Sequence, residues 1–412
     1  AISLSPNTQK DDILLALKSI FTPISWYDFR TTEKLEKEFA DLFGKEYKAL
    51  AVNSGRSGEF LILKALGIGD GDEVMLQALT CVAVPNSIIW NNAKPIYLDV
   101  DESFNINPKD IREKISEKTR AVITQHSFGI PADISRIKRA LKNKKIKIIE
   151  DCALSLGATY KGRKVGSLGD VSFFSFGRDK IISSVFGGMV LCKDRKLYEK
   201  IKEERDKLDY PSPFWVFQQI VHPLVLTLAT RFYNMGFGRL TLGKAILFLS
   251  IKLGIISKAI YESEKQGSMP KHFPKKMPGV LSKFALNQLS KLKEFNNHRS
   301  QIVDIYYDLL GKSKLKLPPR VKGSVWVRFP VLTPKARDVF DYLKKRGILI
   351  GNWYSQIVDP VKKLENVGYK LGSCKMAEAY SNQMLNLPTY PNFSKEDAIS
   401  LIKLIKKCLN TK

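Results

Sequence analysis

Between residues 30 and 200, short apolar runs alternate with amphipathic stretches. Lys48–Val52, Glu73–Leu76, Pro95–Asp99, Ala121–Thr124 and Ile146–Glu150 read as strands. Helical spacing appears in Glu59–Ala65 and Asp133–Lys142. Repeated β-α alternation predicts an α/β fold with a mostly parallel central sheet flanked by helices. In such sheets, chemistry gathers at the carboxyl ends of the strands. One strand is expected to end on Asp151 and a second at Ser175-Phe176, with a further apolar run at Met189–Leu191.

The pattern changes after Asp209. Residues 210–230 carry no charged side chain, and no carboxylate occurs between Asp209 and Glu262. Arg231, Arg239, Lys244, Lys252 and Lys258 punctuate this apolar stretch. Helical periodicity returns in Leu281–Leu310, followed by a strand-like Ser324–Phe329 and a helix over Lys335–Arg346. An amphipathic helix is expected over Lys395–Leu409. The chain thus divides into an N-terminal arm (1–30), a large α/β domain (31–209), an apolar, basic helical insert (210–261) and a smaller C-terminal α/β domain (262–412).

Composition adds charge to this picture. The 412 residues include 67 Lys and Arg against 41 Asp and Glu, a net +26. That excess favours an anionic partner: nucleic acid, an anionic membrane or a phosphorylated substrate. No nucleic-acid motif is present. The five cysteines are scattered without C-x-x-C spacing, so neither a zinc site nor a disulfide framework is expected. The opening residues lack a signal-peptide pattern, and the expected location is cytoplasmic, with peripheral association on a membrane's inner face as a candidate.

The chemistry concentrates in Ile148–Ala158 and Gly166–Lys180. An acid at one strand end (Asp151) and a lysine just beyond the next (Lys180) suit a pyridoxal phosphate site. The lysine is the group that forms a Schiff base with the aldehyde. The carboxylate keeps the pyridine nitrogen protonated, which makes the ring an electron sink. The cofactor's phosphate needs a cradle, and Asn53-Ser-Gly-Arg56 supplies a turn opening a helix, where backbone N–H groups bind anions. Ser54, Gly55, Arg56 and, from the other side, Ser175 are the candidates. Individually, each has a bland reading as a cap, a turn or a surface charge; their order and spacing carry the argument.

With these residues in view, the chain resembles the DegT/DnrJ/StrS-type nucleotide-sugar aminotransferases of the fold type I pyridoxal phosphate superfamily. The resemblance runs through Asn53-Ser-Gly55, Gly69–Val74, Ala93–Asp99, His126–Asp133, Glu150-Asp151, Gly157-Ala158, Phe174–Phe176 with Lys180, Leu286–Leu292 and Leu387-Pro388. It implies a fold type I architecture, Lys180 as the cofactor-bound lysine, and Asp151 as partner of the pyridine nitrogen. It also implies a homodimer with shared active sites, and transfer of an amino group from an amino acid, glutamate by family habit, to a sugar or sugar-like carbonyl. Three cofactor contacts depart from the family pattern. Cys81 stands where an aromatic residue usually stacks on the ring, and Leu154 where Gln or His lies near the ring hydroxyl. No asparagine precedes Ser282, leaving Lys275 or Lys276 as substitutes for a phosphate contact across the dimer. Alternatives are a dehydratase on the same scaffold, against which the lysine at 180 argues, and a non-catalytic basic protein binding membrane or nucleic acid.

The insert fits two expectations. It is a helical hairpin buried in the dimer or capping the site, or it docks on an anionic membrane, where a lipid-linked sugar could be the acceptor. Pro211, Pro213 and Pro223 argue against a simple membrane span.

Overall fold

The structure is a computed structural model that describes residues 5–142, 145–237 and 240–410. Arg239 lies outside the described residues. The elements that matter for the site begin with α1 (Lys10–Ile20), α2 (Phe29–Asp41), β1 (Lys48–Val52) and α3 (Gly55–Ala65). Next come β2 (Glu73–Gln77), α4 (Ala83–Trp90), β3 (Lys94–Leu98), α5 (Pro108–Lys114), β4 (Thr119–Gln125), α6 (Ile134–Leu141) and β5 (Lys147–Asp151). The large domain closes with β6 (Val171–Ser175), β7 (Gly188–Cys192) and α7 (Arg195–Asp206).

These strands form one seven-stranded sheet in the order β1-β7-β6-β5-β4-β2-β3. It is mostly parallel, as expected, with β7 running against both of its neighbours. Residues alternate between its two faces, as the two-residue period of a strand requires. Leu50, Val52, Ile123, Ile149 and Phe173 join one buried core. Ala49, Ala51, Val122, Ile148 and Phe174 join the other. Both faces are covered, which is why the strands read as near-continuous apolar runs.

Beyond the sheet, α8 (Pro213–Arg231) and α9 (Leu242–Lys252) build the segment that reads as an insert. The C-terminal part comprises α10 (Gly279–Leu289), α11 (Leu292–Leu310), β8 (Phe329–Leu332), α12 (Ala336–Lys344), α13 (Lys375–Ser381), β9 (Met384–Leu387) and α14 (Lys395–Asn410). β8 and β9 pair antiparallel, and α14 packs on α11 and α12.

Leu281–Leu310 is helical, as its periodicity implies, in two helices that meet at a turn at Ser290-Lys291. One local expectation needs correction. Ser324–Phe329 is not a strand over its length; β8 starts only at Phe329. Val325 and Val327 instead donate to the carbonyls of Gly129 (3.1 Å) and Phe128 (3.0 Å), so tertiary pairing with a turn overrides the local pattern.

Candidate active site

The carboxyl ends of β1, β4, β5 and β6 converge on one edge of the sheet, and there lies a cavity of about 300 Å³. All eight residues singled out from the sequence line it: Ser54, Gly55, Arg56, Cys81, Asp151, Leu154, Ser175 and Lys180.

Ser54 caps α3, accepting the Ser57 N–H at 3.2 Å, so the first free N–H groups of the helix face the cavity. The approach is close enough to demand glycine. A Cβ on Gly55 would stand 3.0 Å from the Ser175 Cβ, and one on Gly188 would stand 2.5 Å from the Ser54 carbonyl carbon. Arg56 borders the same space, but its guanidinium is held by the buried Glu264 and by the Ala259 carbonyl (3.1 Å).

Asp151 ends β5, almost fully buried, with Oδ1 accepting the Ala153 N–H at 2.9 Å. Burial pushes its pKa up, against the pull of that N–H, Lys180 and His126. A protonated ring nitrogen beside it would be the counter-charge that favours the carboxylate. Below Asp151, His126 Nδ1 accepts the Ala132 N–H at 3.0 Å, which leaves Nε2 to donate to Glu150 Oε2 at 3.0 Å. Glu150 also accepts N–H groups of Gly166, Leu168 and Gly169. Burial works against its charge, yet these donors outweigh it and hold Glu150 below the usual carboxylate range. His126, Glu150 and Cys152 lie close enough to ligate a metal, but hydrogen bonds already account for the first two.

Lys180 sits in the turn between β6 and β7. Burial lowers the pKa of its ammonium; Arg328 adds to that, while Asp179, Cys81 and Asp151 oppose it. Its Nζ lies 4.7 Å from the centroid of the Trp353 ring, and Arg328 stacks on the same ring at 3.7 Å while pairing with Asp179 at 2.5 Å. The backbone of this turn is anchored from far away. Asn7 Nδ2 donates to the carbonyls of Lys180 (2.7 Å) and Ile181 (3.0 Å), and buried Arg299 donates to Ile181 (2.9 Å) and Asn7 (3.0 Å). Farther along the same turn, Val185 holds φ at 68°, a left-handed conformation that costs a β-branched residue about 1–2 kcal/mol. Leu154, Cys81, Trp353 and Ile260 give the cavity its less polar walls.

Several of these contributors had no sequence signal. Trp353 arrives from the C-terminal part, with Arg328 over its ring, and Ala259-Ile260 from the end of the insert. Arg178 reaches back to Ser257, donating to its carbonyl at 2.6 Å and its hydroxyl at 2.7 Å. Lys275 pairs with Asp209 at 3.3 Å and hydrogen-bonds Asn53 through its backbone, beside the cradle of its own chain.

Glu59 was also missed. It lines the cavity one turn into α3, 1% exposed, with Oε1 unpartnered. Burial, then Asp151, raises its pKa well above the usual carboxylate value. A carboxyl whose pKa is raised on folding supports stability below its unfolded pKa, near 4.3, and loses that support as pH rises through its folded pKa. Glu59→Gln should therefore stabilise the cofactor-free protein by about 1–3 kcal/mol at pH 8 and by much less at pH 4. Chemical denaturation at the two pH values measures this, and an equal change at both would exclude the buried protonated acid.

The residues present fit pyridoxal phosphate: an anion cradle that a Cβ would fill, an acid at one strand end and a lysine with a depressed pKa line one cavity. The profile of the DegT/DnrJ/EryC1/StrS aminotransferase family matches residues 7–208 and 259–406. The spore coat polysaccharide biosynthesis protein SpsC of Bacillus subtilis is 39% identical over 397 residues, spanning 91% of this chain and 88% of its own. The GDP-perosamine synthase of Vibrio cholerae is 31% identical over 338 residues, spanning 81% of this chain and 89% of its own. In fold, the crystal structure of NtdA from Bacillus subtilis with bound cofactor PMP superposes with a TM-score of 0.73 at 21% identity, covering 98% of this chain and 84% of that one.

Proposed function

Because the chain belongs to the DegT/DnrJ/EryC1/StrS aminotransferase family, and is thereby a pyridoxal phosphate-dependent sugar aminotransferase, we propose that it moves an amino group from glutamate to a keto or aldehyde group of a sugar nucleotide or lipid-linked sugar. The observation that supports this most is the meeting of Lys180, Asp151 and the start of α3 on one cavity. SpsC and the perosamine synthase, by their names, work on polysaccharide and nucleotide-sugar chemistry, which favours a surface-polysaccharide precursor as product.

When bound, pyridoxal phosphate supplies the electron sink for the carbanion that transamination requires. In this reading Lys180 holds its aldehyde carbon and Asp151 its ring nitrogen. The α3 N–H groups with the Ser54 and Ser175 hydroxyls hold its phosphate. Arg56, tied to Glu264, shapes the cradle and lends it positive charge. Leu154 and Cys81 border the ring without a strong polar contact. The free Lys180 Nζ is pushed toward its neutral form by burial and Arg328, which would suit it to act as the base. It would then take the proton from the donor's α-carbon and deliver it, across the intervening nitrogen, to the carbon that had been the cofactor's aldehyde. Ile260 and Trp353 close the cavity walls against water. A homodimer sharing its sites completes this reading, as the family resemblance implies.

Incubating the loaded enzyme with glutamate and a panel of keto-sugar nucleotides tests it. The expected products are 2-oxoglutarate and an amino sugar in equal amounts, read by mass spectrometry. A deoxygenated sugar without any amine would replace this reading with the dehydratase.

A further inference from the structure

The segment that the family profile skips, between residues 208 and 259, is built unlike the rest of the molecule. In α9 the buried residues are Gly243 and Ser250, the small and polar ones. Gly243 lets the helix cross the end of α8 closely, since a Cβ there would meet the Ala229 carbonyl oxygen at 2.1 Å. The large apolar side chains turn outward: Leu242, Phe248, Leu249, Ile251, Leu253 and Ile255 are exposed, Phe248 by 63% and Leu253 by 68%. The outward face of a helix with its polarity reversed in this way has no partner among the described residues. Exposed apolar surface of this extent marks an interaction face.

The surroundings of this face define its partner. Lys244, Lys252 and Lys258 are exposed on or beside it, Arg231 closes the preceding helix, and no carboxylate occurs from residue 210 to 261. Lys252 lies over the Phe248 ring at 5.9 Å, so charge and apolar surface share one side of the helix. The end of α1 adjoins the same region. Ile20 and Leu247 pack on the small cluster of Val221, Leu226 and Ile256, and beyond Ile20 the chain leaves Phe21 and Ile24 bare, 82% and 100% exposed. A second copy meeting this face about a two-fold axis would set like charges against like, because such an interface is self-complementary. Phospholipid supplies what the face lacks, acyl chains for the apolar side chains and anionic headgroups for the lysines.

We propose that the outward face of α9, with the end of α1, docks the enzyme on an anionic bilayer as a monotopic contact. No helix among the described residues is long and apolar enough to cross a membrane. Ala259 at the cavity wall lies seven positions beyond Lys252, at most about 25 Å of extended chain. The link is tied down, with Ser257 bonded to Arg178 and the Ala259 carbonyl to Arg56. Docking therefore sets the cavity close to the headgroup layer, where an amphiphilic, lipid-linked sugar can reach it. Only this last statement about the acceptor rests on the aminotransferase reading.

Flotation of the full chain with vesicles tests the proposal. Vesicles of phosphatidylcholine with about one-quarter phosphatidylglycerol should recover at least about tenfold more protein than phosphatidylcholine alone, and raised salt should weaken recovery. The triple variant Phe248→Ser, Leu249→Ser, Leu253→Ser should lose flotation, with its circular dichroism, its particle mass by light scattering and its activity on a soluble acceptor unchanged. Lys180→Ala should float like the wild type while transferring nothing. A wild-type chain that stays with the soluble fraction overturns the proposal, as does equal flotation on both vesicle types. A change of particle mass in the triple variant also overturns it and assigns the face to a second copy. A protein that floats but never aminates a sugar leaves docking in place and removes the catalytic reading alone.

Discussion

Lys180→Ala lowers turnover by at least about 10⁴-fold and removes the absorbance of the lysine-bound cofactor, while the fold persists. The expectation follows from three features of the site. The side chain projects into the cavity rather than into a packed core, so its truncation leaves no strained neighbour. Its amine is surrounded by Asp179, Cys81, Asp151 and Arg328, and burial with Arg328 favours the neutral, nucleophilic form. Among the described residues, no second lysine lines the cavity to take its place. Stopped-flow transamination with glutamate, together with the absorption spectrum of the loaded protein, gives the answer. Turnover within a hundredfold of wild type would assign the proton transfer to another group. Added small amines should restore part of the rate, since they supply the missing base without the tether.

Asp151→Asn is the next largest effect, a loss of about 10²–10³-fold in kcat with the cofactor still bound. Asparagine keeps the shape and the Oδ1 contact to the Ala153 N–H, but it offers no charge to a protonated ring nitrogen. In the buried setting of Asp151, that charge acts at short range with little solvent to screen it. The Glu150 carboxylate beneath is taken up by His126 and by the N–H groups of Gly166, Leu168 and Gly169, so it cannot substitute for the lost carboxylate. The measurement is the kcat of the variant loaded with cofactor, read beside the ring's absorbance. Wild-type kcat in Asp151→Asn would place the ring nitrogen elsewhere.

The strands of the sheet were legible because both of its faces are buried and their apolar runs are bounded by turn residues. Lys48–Val52 was read with the boundaries it has, and Asp151 and Ser175 fall at strand ends as expected. The site was legible for a related reason: the cradle, the acid and the lysine each follow a strand whose end lies on the same sheet edge. What escaped was assembled over distance. Trp353 and Arg328 belong to a part of the chain that reaches the cavity only through tertiary packing, and Glu59 looked like one polar position in a helix. Ser324–Phe329 alternates like a strand, but its carbonyls and N–H groups found partners in a turn and in Thr389. In α9, the apolar count was visible in the sequence, whereas the inward turn of Gly243 and Ser250 depended on how closely α8 approaches.

The anchoring of the Lys180 turn by Asn7 and Arg299 ties its placement to segments far away in the chain. Two segments 292 positions apart must meet before the peptide that carries it is held. A nascent chain that has released the large domain but not yet α11 owns the lysine without the brace that aims it. The peptide that carries Lys180 is thereby held only when the N-terminal segment and α11 have both arrived.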